Sequence, residues 1–234
     1  MAAIAYDATS NGAAVLSSNP QTFNHTCSST GGRYMIAITQ GSAAPTYAGV
    51  TMTLLRTYNP PDIVGPPPIT NSCPTLSVYG LANPATGTNT FSVANAGGAA
   101  DTGVVSYTGV GGVDVYGEDD STTENGSDTQ QVALTVTTTT TKDNCWLVGV
   151  ANTTNAGTKI FSGATNGSLR YAGASSILVD SVGIVDSNGA KTPAGAYDLG
   201  ITRTAPESCF ISMIVVALYP AVPRSTYFMK FADK

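Results

Sequence analysis

Hydrophobic and polar residues alternate along most of this chain with a period of two, the signature of half-buried β-strands. Between residues 46 and 93, Val50, Met52 and Leu54 alternate with Thr51, Thr53 and Leu55. Further on, Leu76, Val78 and Gly80 alternate with Ser77, Tyr79 and Leu81. The run Asn83-Pro84-Ala85-Thr86-Gly87 is a turn signal, so residues 88–93 are expected to return as the second arm of a hairpin. Upstream, residues 4–9 predict a short strand. A turn at Ser10-Asn11-Gly12 follows, and 13–18 pair back. Residues 21–27 place Phe23, His25 and Cys27 on one face. Residues 34–39 oppose Tyr34, Ile36 and Ile38 to Met35 and Ala37.

The second half reads the same way. Strands are expected over 102–110, 131–141, 145–151, 158–162, 168–178, 180–186, 197–203 and 209–219. In 131–141, Val132, Leu134 and Val136 oppose Ala133, Thr135 and Thr137, and the threonines favour extended backbone. Residues 145–151, with the only tryptophan, Trp146, are apolar on both faces, which describes a central strand. Lys142-Asp143-Asn144 and Asp186-Ser187-Asn188-Gly189 are turns. No stretch carries a helical period with caps, and Gly, Thr and Ser oppose helix throughout. The expected fold class is therefore all-β: a two-sheet antiparallel β-sandwich of jelly-roll type. It would fill residues 1–220 as a single domain, with a Pro-rich loop at 58–74, an acidic loop at 117–128 and a C-terminal tail at 221–234.

Composition adds a surface. Only 11% of the 234 residues are charged, against about 25% in ordinary globular domains. A surface with few charges to desolvate is cheap to bury against neighbours. Net charge is −5, with no basic cluster, which argues against nucleic acid as a partner. No apolar run approaches the ~20 residues of a membrane helix, so no membrane insertion is expected. The N-terminus Met1-Ala-Ala-Ile-Ala-Tyr-Asp has no basic region and no cleavage signature, which predicts synthesis in the cytoplasm without classical export.

Candidate chemistry is sparse. Cys27, Cys73, Cys145 and Cys209 are scattered and His25 is the only histidine, so neither a zinc site nor any other cofactor is expected. Cys145 and Cys209 read as small core residues, while Cys27 and Cys73 sit near strand ends where a pairing stays open. Glu118, Asp119, Asp120, Glu124 and Asp128 match no calcium-loop spacing and read as solvated. A Ser-His-Asp site would have to use His25 and would need an oriented acid and a nucleophile from elsewhere. A packed histidine and no enzyme activity are the expectation. Tyr47, Tyr58, Tyr79, Tyr107 and Tyr116 are available to stack on sugars, although strand tyrosines more often pack at a sandwich rim.

Two segments stand out as contact elements. The excursion 58–74 holds six of the thirteen prolines, among them Pro60, Pro61, Pro66, Pro67 and Pro68, and reads as a stiffened arm. The tail carries Tyr227, Phe228, Met229 and Phe231, an apolar group that calls for cover. Both are expected to contact other subunits.

Six stretches together resemble a known family. They are Phe23-Asn-His-Thr-Cys27, Arg33-Tyr-Met-Ile-Ala-Ile38, the strand 46–54, the run 79–93, Val105-Ser-Tyr-Thr-Gly-Val110 and Val215-Val-Ala-Leu-Tyr-Pro220. The succession is similar to the β-sandwich domains of tailed-phage virion structural proteins and covers most of residues 20–220. The motifs are hairpins and core strands, and the family has no catalytic motif to carry over. The resemblance implies a virion structural protein located in the virion, a capsid-surface decoration or head-fibre protein. It would bind other virion proteins and itself as a closed homo-oligomer such as a trimer. The alternative is a tail-tip or secreted module for host attachment that recognises a cell-surface glycan.

Overall fold

A computed structural model describes residues 3–15, 20–39, 43–59, 75–94, 100–120, 133–153, 161–173, 181–204 and 211–222. The first half supplies β1 (Ala5–Val15), β2 (Gln21–Cys27), β3 (Tyr34–Thr39), β4 (Thr46–Tyr47), β5 (Val50–Thr51), β6 (Thr53–Tyr58), β7 (Leu76–Ala82), β8 (Gly87–Val93) and β9 (Ala100–Thr108). The second supplies β10 (Val110–Asp120), β11 (Ala133–Thr139), β12 (Trp146–Thr153), β13 (Phe161–Thr165), β14 (Ser168–Ala172), β15 (Ser181–Asp186), β16 (Ala196–Arg203) and β17 (Ile211–Pro220). All strand pairings are antiparallel and no helix occurs among the described residues, so the all-β class is as expected.

Among the described residues, however, the strands form four sheets. The first half forms an inner sheet of order β1-β9-β3-β7-β6 and an outer sheet β2-β8-β4-β5. The second half forms an inner sheet β10-β17-β12-β15-β14 and an outer sheet β11-β16-β13. With the two-residue β5 set aside, each half has eight strands, and each strand of the second half takes the place of its counterpart in the first. The irregularities recur too. The register of β6 on β7 slips between Leu54 and Arg56, and that of β14 on β15 between Leu169 and Tyr171. β1 bulges on β9 between Tyr6 and Ala8, and β10 on β17 between Val113 and Tyr116. The chain is one strand arrangement made twice.

Period-two alternation explains how the layers stack. On β3, Tyr34, Ile36 and Ile38 face the second half, while Met35 and Ala37 face the first half's outer sheet. On β12, Trp146, Val148 and Val150 face the first half, while Leu147 and Ala151 face the second half's outer sheet. Three apolar cores thus separate four layers, and the largest lies between the two inner sheets. The halves meet at a single residue between β9 and β10, Gly109. Its φ of 73° and a Cβ position that would fall 2.1 Å from the Ala3 carbonyl oxygen leave room for glycine alone.

Several expectations change in this architecture. Residues 83–87 do turn, with Asn83 at a φ of 51°, but β7 and β8 belong to different sheets, so the turn carries the chain across the core and closes no hairpin. Ser10-Asn11-Gly12 is no turn either: β1 continues through it to Val15, held by β9. Val50 and Leu54 are about half exposed while Met52 between them is buried, because Met52 is the break where the chain leaves the outer sheet for the inner one. The proposed acidic loop begins as strand: Glu118 and Asp119 lie on β10 opposite Ile214 and Met213. Trp146 and Leu147 do lie on a central strand, flanked by β15 and β17.

Candidate functional site

The only histidine is the centre of the best-organised polar cluster. β2 crosses behind the edge of the first half's inner sheet and turns His25 inward, where it is 1% exposed. Its Nδ1 lies 3.0 Å from Ser10 Oγ on β1, and its Nε2 3.0 Å from Ser106 Oγ on β9. Ser106 in turn donates to Asp7 Oδ2 at 2.9 Å. A carboxylate only accepts, and this fixes the direction of the chain. Ser106 spends its proton on Asp7, so it accepts from Nε2–H. Nδ1 is then the bare nitrogen, and Ser10 donates to it. The result is a relay Ser10→His25→Ser106→Asp7 with a half-buried hydroxyl at its outer end.

Burial pulls the His25 pKa down to about 4, against the opposing pull of the Asp7 carboxylate. The imidazole is therefore neutral across the physiological range, with its Nδ1 lone pair turned to Ser10. The acid that a serine nucleophile needs is present but touches Ser106, not the imidazole, which departs from the usual triad. Asp7 has a second duty. It sits in the β1 bulge and accepts the Ser28 backbone N–H at 3.0 Å, pinning the loop after β2. Asp114, in the matching bulge of β10, accepts from Thr141 N at 2.7 Å and Lys142 N at 3.3 Å after β11. These bonds hold the Asp114 carboxyl below its usual range even though partial burial, the largest influence, pushes it up.

A second polar group ties the halves together. Tyr107 on β9 donates to Asp186 Oδ2 on β15 at 2.9 Å, and Arg170 Nε on β14 reaches the same oxygen at 2.7 Å. The Arg170 guanidinium also covers the Tyr6 ring, 4.3 Å from its centre. In the opposite sense, Tyr171 on β14 donates to Asp101 Oδ1 on β9 at 2.8 Å, and Val182 N donates to Oδ2 at 3.3 Å. Burial raises the Asp101 pKa, against these bonds. Arg56 on β6 grips Glu118 on β10 with two nitrogens at the rim. The seam between the halves is an apolar core edged by charge-assisted bonds.

The positions singled out in the sequence fare differently. Pro60, Pro61, Pro66, Pro67, Pro68, Tyr227, Phe228, Met229 and Phe231 lie outside the described residues, as do Cys73 and Cys209. Cys27 and Cys145 are buried free thiols. Tyr47, Tyr79 and Tyr107 are buried at 2% exposure or less and present no ring to a sugar; among the five tyrosines only Tyr116 is exposed. Glu118 is engaged by Arg56, and among the described residues no group of three His, Cys, Asp or Glu side chains is placed to hold a metal ion. Nothing in the alternation of residues marks Ser10 and Ser106 as partners of His25, or Asp7 as the acceptor behind Ser106. The turn expected at Ser10-Asn11-Gly12 conceals that the Ser10 side chain lies toward His25. Comparison of the chain with protein families, with curated proteins and with solved structures finds no match in any of the three.

Proposed function

We propose that this chain is a structural component of a phage virion, a decoration or head-fibre subunit on the capsid surface. The observation that carries the reading is the repeated strand order. With the two-residue β5 set aside, the first, last, third, sixth and fifth strands of each half form one sheet in that order, and the second, seventh and fourth form the other. Apart from the fifth strand, which joins the sixth in the inner sheet, that order resembles the path of a jelly roll, an architecture recurrent in viral capsid proteins. We therefore read the chain as two jelly rolls back to back. A body of four layers with three continuous cores is suited to bearing load. Its charge-poor exterior suits burial against neighbouring subunits. The resemblance to tailed-phage sandwich domains points the same way. In this reading the arm 58–74 and the tail 221–234 reach the other virion proteins and further copies of the chain.

Cryo-EM of particles from a phage that encodes this chain tests the proposal. Density for the four-layer body at regular sites on the capsid surface, with a copy number that follows the lattice, is the expected result. Particles that are complete and lack the protein would overturn it.

A further inference from the structure

The two halves allow the His25 relay to be compared with its own counterpart in the same chain. Ile36 on β3 and Val148 on β12 occupy equivalent places, which aligns Val104, Val105 and Ser106 with Val215, Val216 and Ala217. Through these partners Ser10 corresponds to Gly117 and Asp7 to Asp114. Ser28 and Thr141, whose N–H groups bind the two bulge aspartates, then align His25 with Thr138. The packing agrees, for a Cβ on Gly117 would stand 2.3 Å from Thr138 Oγ1, where Ser10 meets His25 in the first half. The second half thus keeps the aspartate and builds the same fold with Gly117, Thr138 and Ala217. The architecture requires the bulge carboxylate. It does not require the hydroxyl–imidazole–hydroxyl chain added to it in the first half.

We propose that Ser10 is an activated nucleophile that accepts acyl groups from small carboxylic esters, with His25 as its base. Ser10 Oγ attacks the ester carbonyl carbon as its proton passes to His25 Nδ1. When the carbon–oxygen bond to the leaving alcohol breaks, the imidazolium returns that proton to the departing alkoxide. The products are an acyl-Ser10 ester and a free alcohol. Water, deprotonated by the same Nδ1, then attacks the acyl carbon, and as the carbon–oxygen bond to Ser10 breaks the imidazolium returns that proton to Ser10 Oγ and the acid leaves. Ser106 and Asp7 are positioning residues: they hold Nε2–H so that Nδ1 is the basic nitrogen, and they face the positive charge that forms on the ring. The ester enters at the edge of the inner sheet, where Ser10, partly buried, lies on the outermost strand.

The experiment exposes the full-length protein to a fluorophosphonate probe and maps the adduct by peptide mass spectrometry. The expected result is a single adduct on Ser10. The labelling rate should hold level across neutral pH and fall only on approach to about 4, where His25 takes up a proton. His25→Thr, which installs the second half's own residue, should slow labelling by roughly a hundredfold while leaving the melting temperature of a folded protein. If that variant fails to fold, Ser106→Ala, again the second half's residue, makes the same comparison with nucleophile and imidazole in place. Absence of a Ser10 adduct in the wild type, or an unchanged rate in the folded variant, would overturn the proposal.

Discussion

Replacing Tyr107 by phenylalanine tests how the halves are held. The ring is fully buried between the inner sheets and packs 6.3 Å from Tyr6 and 6.0 Å from Trp146, centre to centre. The substitution removes one oxygen and leaves this packing alone, so no cavity is opened. What it deletes is the 2.9 Å bond to Asp186 across the seam. A hydrogen bond to a charged group is worth about 1.5–3 kcal/mol. Asp186 keeps Arg170 on the same oxygen and the Asn188 N–H, at 2.9 Å, on the other, so the carboxylate is not orphaned. The cost should therefore fall near the lower part of that range, about 2 kcal/mol. For a chain of this size about 1 kcal/mol moves the melting temperature by roughly 2–4 °C, which predicts a fall of about 4–8 °C by calorimetry. Tyr6→Phe, whose hydroxyl bonds only to the neighbouring Thr9 at the surface, serves as the control and should leave melting unchanged. A Tyr107→Phe protein that melts with the wild type would show that the seam bond contributes nothing net. A loss above about 5 kcal/mol would show that Asp186 depends on Tyr107 alone.

Three other outcomes are expected. Trp146→Ala, which empties a site in the central core, should cost about 3–5 kcal/mol in urea denaturation, and an unchanged midpoint would contradict its burial. His25 binds a proton at 6.5 when unfolded and only at about 4 when folded, so its contribution is whole above 6.5 and is lost as pH falls toward 4. His25→Thr should flatten stability-versus-pH curves in that window, and a slope equal to wild type would assign the acid sensitivity to other groups. Deleting residues 221–234 should keep the far-UV β spectrum and weaken self-association in sedimentation, whereas unfolding would place the tail in the protein's own core.

Strand positions were legible because alternation is local. Tyr34, Ile36 and Ile38 against Met35 and Ala37, or Leu134 and Val136 against their threonine neighbours, declare two faces without knowledge of any partner. Which sheet receives a strand is decided by distant residues, and so the turn at 83–87 passed for a hairpin. The number of layers had left a trace that went unread. A strand in a two-sheet sandwich keeps one wet face, yet β3, β12, β15 and nearly all of β17 bury both. Strands dry on both sides need a layer above and a layer below. The duplication was hidden for a different reason: the halves share places more than identities, as Ser10 against Gly117 and His25 against Thr138 illustrate. The pair Asp7 and Asp114 is one of the few matches, and only bulge geometry shows that it is one. The partners of His25 were illegible because they come from two strands roughly a hundred residues apart in sequence.

The seam at Gly109 also sets an order of events at the ribosome. When β9 emerges, the first half has every strand it will ever have, yet the inner face formed by Ile36, Ile38, Val78 and Val105 has nothing upon it. Its cover arrives with β12, β15 and β17, the last of which ends at Pro220. At the ~5–20 residues per second of translation, the hundred-odd intervening residues take about 6–20 s. For that interval the nascent chain displays a finished, greasy sheet face to every other nascent chain nearby. Synthesis rate and chaperone supply, more than the stability of the finished body, would then govern how much of this protein reaches its folded form.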